Sequence, residues 1–129
     1  MTEVPDGSEP VALANWLFDL ARQGDAARLA AYVDAGAPVD LTDADGNTLL
    51  MLAAYHDQPA TVAALVERGA DVEAQNRRGQ SPLAGAVFKQ ADEVVRVLLE
   101  AGADPDAGTP TARQTAQMFG LPELFGEPA

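Results

Sequence analysis

Gly36-Ala37-Pro38-Val39-Asp40 returns as Gly69-Ala70-Asp71-Val72-Glu73 and again as Gly102-Ala103-Asp104-Pro105-Asp106, each 33 residues after the last. A second glycine keeps the same step, Gly46 in Asp45-Gly46-Asn47 and Gly79 in Arg78-Gly79-Gln80. A fixed period of this size is the mark of supersecondary units stacked side by side, each too small to bury its apolar stripe alone. Function in such a stack lies on a surface spread over several units rather than in a catalytic pocket.

Working outward from the glycines, helical periodicity fills the space between them. Leu13, Trp16, Leu17, Leu20 and Ala21 recur at steps of three and four until Gly24-Asp25 interrupts them. A second helix is predicted over Ala26 to Ala35 and ends at Gly36, as a helix followed by a glycine of positive φ does. In the next unit Thr48 is suited to capping a helix to about Asp57, and Pro59 to opening its partner, which stops at Gly69. Ser81-Pro82 repeats the start signal, with Leu83, Ala86 and Val87 on the first helix and Val94, Val95, Val97, Leu98 and Leu99 on the second. The last unit is shorter: Thr111 takes the cap position, and a stub over Pro122 to Phe125 stands for the second helix.

The units therefore run about 11–39, 40–72, 73–105 and 106–126, forming one domain after an acidic, flexible leader over 1–10. The expected fold class is all-α, a solenoid of about four stacked helix pairs with short hairpin-like fingers near Val39–Asn47, Val72–Gln80 and Pro105–Pro110. The expected core comprises Leu20, Leu29, Val33, Leu50, Ala53, Val62, Leu65, Leu83, Ala86, Val95, Leu98 and Leu99.

These units resemble ankyrin repeats. The resemblance is carried by Gly46…Thr48-Leu49-Leu50…Ala53-Ala54…Val62…Leu65-Val66…Gly69-Ala70-Asp71 and by Gly79…Ser81-Pro82-Leu83…Ala86…Val94-Val95…Leu98-Leu99…Gly102-Ala103-Asp104. It extends over about Leu13 to Phe125. Leu49 stands where that family has proline, Met51 and Ala84 where it has histidine, and Asp57 and Gln90 where it has a turn glycine. The resemblance implies a curved stack with fingers to one side and protein binding on the concave face.

Composition narrows the partner. Twenty acidic residues against eight basic ones give a net charge of −12, a field that repels nucleic acid and anionic membranes and suits a basic protein. There are no cysteines, hence no disulfide or thiolate zinc site. The N-terminus lacks a basic region followed by an apolar run, and no stretch approaches the length of a membrane span, so a cytoplasmic monomer is expected. His56 is the single histidine, without a second histidine or cysteine to share a metal. Asp43/Asp45 and Asp104/Asp106 lack the oxygen-ligand loop of a calcium site and read as turn residues. No phosphate-cradling glycine loop or nucleophile motif is present, and no cofactor is expected.

The expectation is a non-enzymatic protein-interaction module. The alternative is an accessory or immunity-type protein that neutralises or stabilises an enzyme, a basic one above all. Positions that the repeat does not dictate carry the proposed binding surface: Asp45, Asn47, Met51, Tyr55, His56, Arg77, Arg78, Gln80, Phe88 and Lys89, with Phe18, Arg22 and Gln23 at the equivalent side of the first unit. Aromatics and arginines are the types enriched at interface hot spots. Tyr55 and Phe88 are 33 residues apart and so become neighbours. Packing between units is the competing role for Phe88, and a solvated turn for Arg77 and Arg78.

Overall fold

The computed structural model describes residues 10–126. The leader expected over 1–10 lies outside them, apart from Pro10, which opens the first helix. Seven helices follow among the described residues: α1 (Pro10–Gln23), α2 (Ala26–Asp34), α3 (Leu49–Tyr55), α4 (Pro59–Glu67), α5 (Pro82–Phe88), α6 (Asp92–Glu100) and α7 (Ala112–Met118). Four of the starts, those of α2, α3, α5 and α7, are set by side chains that accept hydrogen bonds from otherwise orphaned backbone N–H groups. Asp25 accepts from Arg28 N, Thr48 from Met51 N at 3.0 Å, Ser81 from Ala84 N at 3.1 Å, and Thr111 from Gln114 N at 3.0 Å. Gln114 Oε1 accepts in return from Thr111 N at 2.9 Å, completing a capping box.

The helices pack as two rows. In the inner row α1 meets α3, α3 meets α5, and α5 meets α7; in the outer row α2 meets α4 and α4 meets α6. Each inner helix from α1 to α5 also packs on the outer helix that follows it. The core lies between the rows, with Leu20, Leu29, Leu50, Val62, Leu65, Leu83, Val94 and Leu98 fully or almost fully buried. Small residues at Ala21, Ala53, Ala54, Ala86 and Ala116 let the inner helices approach closely.

Two expected core positions differ. Leu99 is 36% exposed and Val33 only half-buried. With Val66 they occupy one register of the outer helices, at the edge of the buried stripe rather than under it. The fourth pair is also incomplete. Residues 122–125 form turns, with Leu124 N donating to Leu121 O and Gly126 N to Glu123 O, so the expected stub does not close into a helix.

The fingers are turns more than strands. The single β-bridge among the described residues joins Thr42 and Thr48, and the second finger closes through Asn76 N to Gln80 O at 3.1 Å. Successive fingers bond to each other, Arg77 N donating to Asp45 O at 3.0 Å and Thr109 N to Gly79 O at 2.8 Å. Carboxylates one repeat apart do the same at the finger bases. Asp40 accepts from Asp71 N and Glu73 from Asp104 N, each at 2.9 Å. On the outer row, Arg68 grips Asp34 with two bonds of 2.9 and 3.2 Å. At the far end Arg113 grips Asp106 at 2.8 and 3.2 Å and donates to Gly126 O at 2.6 Å, holding the third finger and the last turn together.

A candidate protein-binding face between the fingers and the inner helices

The 33-residue register sorts inner-helix side chains by direction. Phe18, Met51 and Ala84 share one register and are all buried, at 5%, 3% and 5% exposure. Phe18 and Met51 are therefore not exposed contact residues as expected from sequence. Four residues later the register changes side. Arg22, Tyr55 and Phe88 form an outward ridge, with Phe88 52% exposed and Tyr55 half-buried. The residues after them, Gln23, His56 and Lys89, are exposed.

On this ridge the aromatic rings stack. Tyr55 and Phe88 lie nearly parallel, 6.4 Å between centroids and 8° between planes. Phe119 meets Phe88 edge-on at 5.8 Å and 75°, and His56 meets Tyr55 edge-on at 6.0 Å. The Lys89 ammonium sits 4.9 Å from the centre of the Tyr55 ring, within reach of a cation–π attraction. Burial, and then the charges of Arg22 and Lys89, hold His56 below its ordinary imidazole value.

The fingers supply the opposite wall. Asp43 Oδ1 accepts from the backbone N–H groups of Asp45 and Asn47, each at 2.9 Å; Asn76, one repeat on, accepts from those of Arg78 and Gln80. Asn76 Nδ2 bridges Asn47 Oδ1 at 2.9 Å and Gln80 Oε1 at 2.8 Å. This polar ladder fixes Asn47 and Gln80, which are half-buried, and leaves Asp45, Arg77 and Arg78 exposed on the fingers.

Between ridge and fingers lie two adjoining hollows. One, of about 320 Å³, is bounded by Tyr55, Arg78, Gly85, Phe88, Pro110 and Met118, among others. The other, of about 130 Å³, is bounded by Asn47, Met51, Tyr55, Asn76, Arg78 and Gln80, with Leu52. Met51 thus contributes floor rather than rim. A larger, apolar hollow of about 690 Å³ opens at the far end, between the start of α1 and residues 35–41. Among the described residues no group of three or more His, Asp or Glu side chains is placed to hold a metal ion.

Of the residues proposed from sequence, the structure brings Asn47, Met51, Tyr55, Arg78, Gln80 and Phe88 to the hollows and Lys89 and His56 to the Tyr55 ring. Asp45 and Arg77 meet through their backbones at the finger tips, outside both hollows. Sequence reasoning missed Gly85, Met118 and Phe119. The Met118-Phe119 pair at the end of α7 was the available signal, since the last unit is offset by 30 residues and Met118 falls in the Phe88 register.

Two rows of capped helices with interlinked fingers on one side define a helical-repeat solenoid. A family model for ankyrin repeats in three copies matches residues 17–109, and the chain belongs to the ankyrin repeat family. It is 49% identical over 45 residues to PA3287 of Pseudomonas aeruginosa, described as an ankyrin repeat protein; the match covers 35% of this chain and 26% of that protein. The chain thus spans about a quarter of that relative's length. It is also similar to the crystal structure of the human ASB11 ankyrin repeat domain, with a TM-score of 0.66 and 31% identity, over 69% of this chain and 40% of that one. Ankyrin repeats are protein–protein interaction modules. No helix among the described residues is long and apolar enough to cross a membrane.

Proposed function

We propose that this chain is a non-enzymatic protein-interaction module that binds another protein through its finger tips and the groove between fingers and inner helices. The observation that carries the reading is the Tyr55–Phe88–Phe119 ring stack, half-exposed and bordered by a walled hollow. Rings held rigidly against one another lose little freedom on binding and offer a large apolar contact. In this reading Tyr55, Phe88, Arg78, Lys89 and His56 make the principal contacts, Asn47, Gln80 and Met51 shape the groove, and Asp45 and Arg77 flank it. The chain acts as a monomer in the cytoplasm and binds neither nucleic acid nor membrane, as its net charge of −12 favours. The narrower alternative, an immunity-type neutraliser of a basic enzyme, draws on that net charge alone, and no feature of the groove favours it.

The test is quantitative capture from the native cell with wild-type protein, with a Tyr55→Ala/Phe88→Ala variant, and with Arg96→Ala on the outer row as control. A partner held through this face is retained by the control and lost by about tenfold or more from the double variant, as for other aromatic hot spots. Equal recovery with all three baits overturns the reading.

A further inference from the structure

The protein has twenty acidic side chains for eight basic ones, so a cation that pairs with none of them stands out. Among the described residues Arg22, Arg28, Arg68, Arg96 and Arg113 each pair with one of the protein's own carboxylates. Arg77, Arg78 and Lys89 do not, and all three belong to the repeat that forms the centre of the groove. Arg78 borders both hollows, and the Lys89 ammonium stands over the Tyr55 ring that borders both. No carboxylate lines either hollow: Asp43 accepts from two backbone N–H groups and the Asn47 amide within its own finger, and Asp45 lies exposed outside both. The groove is therefore locally cationic on a molecule that is strongly anionic overall. His56 responds to that local field: after burial, Arg22 and Lys89 are what hold it toward its neutral form.

The hollow beside these cations is mostly apolar. Gly85 sits inside α5, where an alanine would favour the helix, and a Cβ there would reach 3.5 Å from both Met51 Sδ and Tyr55 Cδ1. The hollow is bordered by Gly85 together with Phe88 and Met118, and Gly85 adds no side chain to it. Its volume of about 320 Å³ is at the small end of ligand pockets, enough for one or two side chains but not an extended apolar surface.

We infer that the groove takes an acidic peptide segment, which sets an aspartate or glutamate carboxylate against Arg78 and Lys89 and inserts one apolar side chain beside Phe88, Met118 and Gly85. This rests on the protein-binding reading above and specifies the partner's chemistry. The overall charge of −12 then rejects acidic proteins that approach any other side, so the cationic patch supplies register as well as attraction.

The experiment is selection of a displayed library of random linear peptides on the full-length protein. The strongest binders are then measured against wild type, Arg78→Glu/Lys89→Glu and Phe88→Ala, with circular dichroism melts to establish that each variant is folded. The expected binders combine Asp or Glu with a Leu, Met or Phe, weaken with added salt, and lose about tenfold or more in affinity to the charge-reversed variant. Lysine-for-glutamate versions of the same peptides should bind the reversed variant better than wild type. Basic or uncharged binders that still depend on Phe88 overturn the acidic assignment while leaving the groove as the binding face. An empty selection, or binders indifferent to Phe88→Ala, overturns both.

Discussion

One position in each unit shows how the residue scale is governed by backbone conformation. Gly24, Asp57, Gln90 and Gly120 end the four inner helices, and all have positive φ, at 79°, 55°, 55° and 75°. A side chain in this left-handed region crowds its own carbonyl, at a cost of about 1–2 kcal/mol, less for Asp than for Gln because Asp can bond locally. Replacing Gln90 by glycine should therefore stabilise the protein by about 0.5–1 kcal/mol after the greater freedom of glycine in the unfolded chain is deducted, and Asp57→Gly by less. Urea midpoints measure both; a loss of stability in Gln90→Gly would show that its side chain makes a compensating contact. The sequence made this position legible, since the family resemblance places a glycine there. It did not reveal that Phe18 and Met51 turn inward. Their one-repeat spacing was plain, but the direction of a register depends on how far each inner helix rotates against the next.

At the scale of elements, the outer helices divide into a buried and an edge register. Leu98 is fully buried and Leu99, its neighbour, is 36% exposed. Leu98→Ala should cost roughly 2–5 kcal/mol and Leu99→Ala no more than about 1 kcal/mol, read by thermal or urea unfolding. Similar losses would contradict the assigned face of α6. The closing element adds a pH signature. The hydrogen bond from Arg113, aided by its charge, holds the Asp106 carboxyl below its ordinary value of 3.8. A depressed carboxylate favours folding once pH exceeds the unfolded value, and that contribution disappears as pH falls through the lower folded value. Wild type should therefore exceed Asp106→Asn in urea midpoint at neutral pH and converge with it in acid; a gap that persists in acid would contradict the ion pair's role. Helix starts were readable because Thr48, Ser81 and Thr111 announce themselves as caps. The amide ladder through Asn47, Asn76 and Gln80 was not, because it exists only once two fingers lie side by side.

Across the whole molecule, the fold is a sum of neighbour contacts, so surface and stability are separable. Arg77 and Arg78 are exposed finger residues, and reversing both to glutamate should move the thermal midpoint little, since exposed charges contribute about 0–1 kcal/mol. Partner binding should suffer instead, chiefly through slower association at low salt. The period of 33 made the stack readable from the chain alone, because every unit must repeat the same packing. The ring stack was readable in part: Tyr55 and Phe88 share a register, while Phe119, the residue after α7, meets Phe88 because α7 packs on α5.

The central claim is that the face of Tyr55, Phe88 and the neighbouring fingers is where this protein meets its partner. The most direct measurement is the dissociation constant of a partner captured by wild type, determined by calorimetry for wild type, Tyr55→Ala/Phe88→Ala and Arg96→Ala, all with matched melting curves. The account predicts a weakening of about tenfold or more in the aromatic variant and none in the outer-row control. Affinity unchanged by loss of both rings, or lost equally in the outer-row control, would contradict it.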